Sequence, residues 1–398
     1  MRASEDRDRP VRLVPVDHLR AAAAVLVVLY HGCQVLGAKL DGREFRPAAD
    51  WLYSANPAAT LVFEGHTAVA LFLVLSGFVF TVGAAGRPVR YGRFLGNRAL
   101  RVYPMYLLVA LPGLATQVSL PGWRELLGVL TFAAPAQPYG GVFWTLAVEV
   151  QCYLLFPLLH RLLTERGPGA LVRLLAAVGV VRALVWLSSP AAEPHTAALY
   201  LGLAGRIDQF LLGMLAAWAY LRHRERLRAA RRVLLPAAGA LALALPWWFN
   251  QVRGFLSDSP LKVGWSTAEG AVWAVVVLVY VAGGPGSGRL SRAAARLGEV
   301  SFSVYLTHFM VLAVLGEYAP GWPLPAGLPP LAAAFWLTLL VALPVTVAVS
   351  WLTYHAVELP FLRLRRPCTP TPRVELPSPE TPRPRQREAA GGEERVAG

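Results

Sequence analysis

The sequence predicts an all-α polytopic membrane protein, a bundle of about ten transmembrane helices with both termini in the cytoplasm. Of its 398 residues 55% are hydrophobic and only 16% are charged, and the mean hydropathy is +0.46. A soluble domain carries about 25% charged residues. Apolar stretches of roughly 17 to 22 residues recur, which is the length that a helix needs to cross a core of ~30 Å. Because backbone polar groups cannot stay unpaired in lipid, these stretches must be helices.

Ten spans follow from these stretches, and they define the domains. The predicted spans are 17–37, 62–84, 104–120, 142–160, 170–189, 198–221, 233–249, 267–284, 299–318 and 330–352. The stretch 126–134 is apolar but too short to cross, which predicts a re-entrant or interfacial piece. The membrane domain is therefore predicted over residues 17–362, after a cytoplasmic segment 1–16. The tail 363–398 is rich in proline and charge and has nothing apolar to bury, which predicts disorder.

The basic residues indicate how the chain lies in the bilayer. With the N-terminus in the cytoplasm, the inner segments hold 30 of the 38 lysines and arginines and the outer loops hold six. This asymmetry is typical of membrane orientation. The formal charge of +14 therefore indicates a lipid bilayer, and no nucleic acid, as the partner. Three widely spaced cysteines predict neither a disulfide framework nor a metal site.

Span 1 carries three ionisable residues on one face. Asp17, Arg20 and His31 are separated by 3 and 11 residues, and 11 steps of about 100° bring a helix only ~20° past three full turns. His31 would lie about 16 Å deeper than Arg20, near the middle of the membrane, where ionisable groups are costly and mark functional sites. Two interpretations stay open on this span alone. One is a functional site, and the other is a cytoplasmic anchor at Arg20 with a hydrogen-bonded interior histidine.

Spans 9 and 4 carry polar groups at a similar depth. Ser301, Tyr305 and His308 fall on adjacent turns of one face of span 9, and His308 would lie about 14 Å from the inner surface. Glu149 of span 4 would lie about 18 Å above the inner end of its helix. Histidine suits general-base chemistry because its pKa lies near neutral pH. Two histidines and a carboxylate at one depth predict a general-base pocket inside the bundle.

Structural roles are at least as good an interpretation for two other polar positions. Ser76 and Gly77 form a small polar packing spot in span 2. Arg206 and Asp208 lie near the outer end of span 6 and are candidates for an intramembrane ion pair.

Five arginines lie in the predicted inner loop between spans 2 and 3. They are Arg87, Arg90, Arg93, Arg98 and Arg101. Residues three apart on a helix project together, so Arg98 and Arg101 would act as a pair. The cluster fits lipid headgroups and equally a phosphate-bearing ligand, which guanidinium groups bind well. Composition alone leaves both interpretations open.

Six segments in order resemble motifs of the acyltransferase-3 family of membrane O-acyltransferases. The first helix, VDHLRAAAAVLVVLYH, has the family's Arg-x10-His spacing at Arg20 and His31, and FLGNRALRVYPMY has its Arg-x2-Arg spacing at Arg98 and Arg101. The other matching segments are VALFLVLSGFVF, FWTLAVEVQCYL, LGEVSFSVYLTH and SWLTYHAVELP. The resemblance covers residues 17–360, nearly the whole predicted membrane domain.

The resemblance implies transfer of an acetyl or other short acyl group from acyl-coenzyme A, taken from the cytoplasmic side of the bacterial inner membrane. The acceptor would be a hydroxyl of a sugar, a glycan or a polyketide antibiotic such as a macrolide, and no metal would be needed. His31 would be the general base. The other expected site residues are Arg20, Glu149, Tyr305 and His308 near the base, Arg93, Arg98 and Arg101 at the donor phosphates, and Asp17, Trp144 and Ser303 at the substrates.

Two departures and one rival function accompany the resemblance. Thr145 stands where the family usually has serine, and His18 where it often has glycine. Nothing resembling the extracytoplasmic domain of some relatives is found, which favours transfer in one step within the membrane domain. The rival is a proton-coupled transporter of a small metabolite, because buried charges and histidines also build proton pathways.

Overall fold

The described part of the chain is helical and contains no strand. The computed structural model describes residues 13–46, 51–115, 128, 131, 143–188, 197–255, 257, 259–284, 286–323, 325 and 327–369. Its first helices are α1 (Val14–Leu40), α2 (Pro57–Phe63), α3 (Thr67–Ala84), α4 (Tyr91–Ala115), α5 (Trp144–Arg166) and α6 (Pro168–Ser188). The others are α7 (Leu203–Gln251), α8 (Leu261–Ala282), α9 (Arg289–Glu299), α10 (Ser301–Tyr318) and a composite last helix, α11 (Pro330–Leu362). The all-α prediction is confirmed for these residues.

Eight helices in the described ranges are long and apolar enough to cross a membrane, namely α1, α3, α5, α6, α7, α8, α10 and α11. Part of the predicted third span, 104–120, belongs to α4. Its last five residues, and all of the predicted short piece 126–134 except residues 128 and 131, lie outside the described ranges. The total of ten spans and the cytoplasmic position of the termini stay predictions.

The long helix α7 consists of two helices that return to the same end of the bundle. A straight helix of its 49 residues would be about 74 Å long. His223 interrupts it with non-helical backbone angles, φ −127° and ψ 20°. The ring of Tyr200, just before α7, lies 5.0 Å from that of Phe255, just after it. The predicted spans 198–221 and 233–249 are therefore the two arms of this bend.

Helix α4 begins well before the predicted third span. Arg98 and Arg101, predicted in the segment between spans 2 and 3, are on this helix. Arginine has a high helix propensity, and its apolar stem can cover hydrophobic surface while the guanidinium stays polar. The predicted pairing of the two side chains on adjacent turns is kept.

Helix α1 lies inside the bundle and packs against α3, α9, α10 and α11. Small residues allow this close approach. Gly298 of α9 lies against the backbone of Asp17, and Gly32 of α1 leaves room for Thr338 of α11. In lipid, helix association depends on such packing rather than on the hydrophobic effect. The polar face of α1 is therefore held inside the protein.

The contact between α3 and α7 depends on two glycines. A side chain at Gly77 would collide with the carbonyl oxygen of Phe210, and one at Gly213 would collide with that of Val74. The backbones of the two helices are in direct contact as a result. The predicted small packing spot at Gly77 is confirmed.

Two buried ion pairs connect α6, α7 and α8. Arg182 of α6 and Asp208 of α7 are both fully buried and lie 2.8 Å apart. Arg206 of α7 pairs with Glu269 of α8 at 3.3 Å. The suggested pairing of Arg206 with Asp208 was wrong, because residues two apart on a helix point to different sides.

The last helix contains two π-helical stretches. The chain then continues as a short segment, residues 363–369, here called the strap. The stretches are Thr338–Ala342 and Tyr354–Glu358, and such bulges are frequent at functional sites. Beyond the helix, the carbonyl of Cys368 accepts a hydrogen bond from the backbone N–H of Arg90 at 2.8 Å. Contacts with α4 therefore extend past residue 362, the predicted domain end. Residues 370–398 of the predicted tail lie outside the described ranges.

Candidate active site

A cavity of about 780 Å³, including its open mouth, lies between α1, α3, α4, α5 and α10. Five predicted site residues line it, namely Arg20, Arg98, Arg101, Glu149 and Tyr305. The other lining residues are Val69, Phe72, Leu73, Ser76, Phe80, Thr145, Leu146, Tyr153, Ser301 and Phe302. Three arginines from two helices thus converge on one cavity.

Arg98 is surrounded by aromatic rings. Its guanidinium carbon lies 4.8 Å from the ring centre of Phe80, 5.6 Å from that of Phe94 and 5.9 Å from that of Tyr153. Its Nε is buried without a hydrogen-bond partner, and no described carboxylate forms an ion pair with it. Cation–π contacts offset part of the cost of burying this charge. The guanidinium donors stay available for an anion.

Arg101 is held by a carboxylate from the last helix. It forms an ion pair with Glu358, which is fully buried, and its guanidinium also lies 4.9 Å from the ring centre of Phe302. The other oxygen of Glu358 accepts a hydrogen bond of 2.7 Å from the hydroxyl of Ser303. Ser303, predicted to contact substrate, therefore orients the partner of a cavity arginine and does not line the cavity itself.

Glu149 and Tyr305 are each oriented by a hydroxyl group. Ser76 donates a hydrogen bond of 3.1 Å to the Glu149 carboxylate, so this serine lines the cavity and is more than the packing residue that its sequence context favoured. The hydroxyls of Thr145 and Tyr305 are 2.6 Å apart. Thr145, which replaces the usual serine, keeps the hydroxyl that makes this bond.

His31 and His308 form a hydrogen-bonded pair. His308 Nδ1 lies 2.6 Å from the carbonyl oxygen of Tyr305, and a carbonyl only accepts, so Nδ1 carries the proton. In a neutral imidazole the other nitrogen is then an acceptor. His308 Nε2 therefore accepts from His31 Nδ1 at 3.1 Å, which places the lone pair of His31 on Nε2. His308 is fully buried, whereas His31 is partly exposed.

The histidine pair lies just beyond the cavity. Neither histidine is a lining residue, but Tyr305 is, and its ring centre is 5.7 Å from that of His308, one turn further along α10. The hydrogen-bonded hydroxyls of Thr145 and Tyr305 lie at this end of the cavity. The cavity therefore leads from the arginines towards the two imidazoles, with this hydroxyl pair at its end.

Three other predicted site residues do not line the cavity. Arg93 is exposed near the start of α4. Trp144 packs against Tyr200, with ring centres 5.4 Å apart. Asp17 is buried and lies 3.4 Å from Arg20, so it acts as the ion-pair partner of a lining residue.

A second buried polar cluster, which was not predicted from the sequence, surrounds Glu64 and His66. Glu64 accepts hydrogen bonds from Asn250 at 2.6 Å and from Trp51 at 3.2 Å. His66 is buried 3.4 Å from Glu64, and the ring of Tyr30 lies 5.9 Å from the ring of His66. Tyr30 adjoins His31, so the cluster reaches the histidine pair from the far side. The sequence does indicate this cluster, because Glu64 and His66 are ionisable residues within the predicted span 62–84, and such residues mark functional sites in a membrane.

Comparison with known proteins agrees with the sequence motifs. The family model described as an acyltransferase domain, of the acyltransferase-3 type, matches residues 14–355. Nodulation protein 10 of Rhizobium leguminosarum bv. viciae is 26% identical over 377 residues, which cover 85% of this chain and 93% of that protein. Acyltransferase MdmB of Streptomyces mycarofaciens is 27% identical over 352 residues, which cover 77% of this chain and 84% of that protein. No solved structure matches the chain.

Proposed function

Because the chain belongs to the acyltransferase-3 family, it is a membrane acyltransferase, and we propose that it transfers an acyl group from acyl-coenzyme A to a hydroxyl with His31 as the general base. The observation that carries the proposal is the hydrogen-bond chain from the Tyr305 carbonyl through His308 to His31. This chain leaves a lone pair on Nε2 of His31, the histidine of the pair that is partly exposed.

The proposed reaction is a direct transfer. His31 Nε2 takes the proton of the acceptor hydroxyl while the oxygen attacks the thioester carbonyl carbon. The carbon–sulfur bond then breaks, and the protonated imidazole returns its proton to the departing sulfur. His308 keeps the imidazole in the required tautomer. Tyr305 and Glu149 line the approach and help to orient the reacting groups.

The arginine end of the cavity is the proposed entrance for the donor. Arg98 has free donors and Arg101 is held in place by Glu358, which suits the phosphates of coenzyme A. Arg20, paired with Asp17, lies between this end and the histidines along α1 and would guide the acyl-bearing arm. The excess of basic residues on the proposed inner side supports a cytoplasmic entrance in the bacterial inner membrane.

The proposed acceptor carries its hydroxyl on a sugar, a glycan or a polyketide such as a macrolide. It would reach His31 from the side of Tyr30 and His66, opposite the donor. Donor and acceptor would then meet at the imidazole without sharing one path, which supports a transfer without a bound acyl-enzyme.

The experiment uses purified protein in lipid nanodiscs with acetyl-coenzyme A and a panel of macrolides and oligosaccharides. Free thiol and the acetylated acceptor, identified by its mass, are measured together. We expect His31→Gln to lower kcat by about 10²–10⁴, the usual contribution of a general base. His160→Gln is the matched control, because this buried histidine has a single hydrogen bond among the described residues, to the carbonyl of Arg87. Near-normal transfer by His31→Gln would refute the base assignment.

The donor site has its own test. Arg98→Ala should raise the KM for acetyl-coenzyme A more than it lowers kcat. An unchanged KM would remove the phosphate role while leaving the assignment of His31 intact. The rival transporter predicts that no acyl donor is consumed in either assay.

A further inference from the structure

The strap after the last helix runs antiparallel along the first turns of α4. Glu358 pairs with Arg101. The side chain of Asn97 bonds to both backbone groups of Arg366, at 2.7 Å and 3.0 Å. The backbone N–H of Arg90 then bonds to Cys368. These three contacts fix the register, so Arg365 falls at the level of Arg98.

Arg365 brings a charge that has no ion-pair partner among the described residues. The Nε of Arg365 is buried without a hydrogen-bond partner, and the same is true of Arg98. No described carboxylate forms an ion pair with the side chain of Arg365. Burial first, and then the neighbouring charges of Arg98 and Arg101, lower the pKa of Arg365 to about 9. A buried charge normally has a partner. Two arginines without one, side by side, indicate a missing anion.

The carboxylates of this region do not supply that anion. Asp17 lies beside Arg20, Glu358 is shared by Arg101 and Ser303, and Glu149 accepts from Ser76. The unused donors belong to Arg98 and Arg365. Arg98 is on helix α4 and Arg365 is on the strap at the same level, an arrangement that suits a group with several oxygen acceptors, such as a phosphate.

We propose that Arg365 is a third phosphate-binding arginine of the donor site, delivered by the strap and acting with Arg98 on a phosphate of coenzyme A. This assignment rests on the proposed function. It extends the donor site to a residue that lies beyond both the family match at residue 355 and the motif segments. The strap then has a role, since it holds one binding residue against α4.

Binding of three ligands to protein in phosphatidylcholine nanodiscs tests the proposal without relying on turnover. The ligands are coenzyme A, 3′-dephospho-coenzyme A and pantetheine, which carry progressively fewer phosphates. We expect Arg365→Gln to weaken coenzyme A binding about tenfold or more, as for a lost charge-assisted hydrogen bond, and to leave pantetheine binding unchanged. Arg363→Gln, an exposed neighbour, should change neither, and Arg365→Lys should restore part of the affinity.

The stability of the ligand-free variant separates binding from structure. Removal of an unpaired cation should leave the unfolding temperature of Arg365→Gln equal to or higher than that of the parent protein. A clear fall would assign Arg365 a structural role and overturn the proposal. Equal weakening of coenzyme A and pantetheine, or no weakening of either, would overturn it as well.

The remaining outcomes distinguish the source of the phosphate. An effect of Arg365→Gln seen only when phosphatidylglycerol is added would assign the residue to a lipid headgroup and overturn the proposal. Failure of the unsubstituted protein to bind either coenzyme A or pantetheine would overturn the proposed function too. Normal coenzyme A binding by both the parent and Arg365→Gln would overturn the role of Arg365 alone.

Discussion

Loss of His308 should slow the reaction through its effect on His31. In His308→Ala the Nδ1–H of His31 loses the acceptor that lies 3.1 Å away. When His31 is protonated in the transition state, this contact becomes a hydrogen bond from a charged group, and its loss costs about 1.5–3 kcal/mol. At about 1.36 kcal/mol per factor of ten, kcat should fall about 10- to 150-fold.

The assay is single-turnover acetyl transfer in nanodiscs with donor and acceptor saturating, so that binding does not contribute. A double-mutant cycle with His31→Gln separates the two histidines. If His308 acts only through His31, its removal has no further effect in the His31→Gln background. Independent, multiplicative losses would refute the relay, and so would a normal kcat in His308→Ala. Thr307→Val, a change at a buried neighbour that bonds to Ser350, controls for damage to α10.

Three further predictions concern the scaffold of the site. Asp208→Asn should lower the thermal unfolding midpoint, because it leaves Arg182 with an uncompensated buried charge at a cost of about 3–5 kcal/mol. Replacement of both residues by apolar ones should restore most of the lost stability. Gly213→Ala should destabilise the fold by about 1–3 kcal/mol through collision with the α3 backbone, and Gly239→Ala, which meets open space, should not. Ser303→Ala should raise the KM for acetyl-coenzyme A up to about tenfold with little effect on kcat, because Glu358 loses the hydrogen bond that orients it, and an unchanged KM would contradict this role.

Sequence periodicity located the chemical centre well. The helical phase of span 1 placed Asp17, Arg20 and His31 on one face, and counting along spans 1 and 9 put His31 and His308 at one depth. In the structure Asp17 lies 3.4 Å from Arg20, and His31 lies 3.1 Å from His308. These predictions succeeded because a helix has a fixed rise and rotation per residue, so one helix determines its own geometry.

Relations between helices were beyond the sequence. Periodicity does not say that Glu358 pairs with Arg101, or that Ser303 faces the last helix rather than the cavity, because both depend on how α4, α10 and α11 rotate against each other. Arg365 was missed for a different reason. A charged, proline-rich segment has no apolar pattern, and its order comes from hydrogen bonds with Asn97 and Arg90 that no local signal records.

The pairing of buried charges separates the scaffold from the site. Among α6, α7 and α8, Arg182 and Arg206 each have a carboxylate from another helix, so their charges are balanced and their removal costs stability. Arg98 at the cavity and Arg365 on the strap have no described carboxylate partner, and the Nε of each is buried without an acceptor. Such an arrangement costs stability in the free protein, and a bound anion would offset that cost. Neutral substitution of Arg182 or Arg206 should therefore lower the stability of the protein. Neutral substitution of Arg98 or Arg365 should instead lower its affinity for the donor.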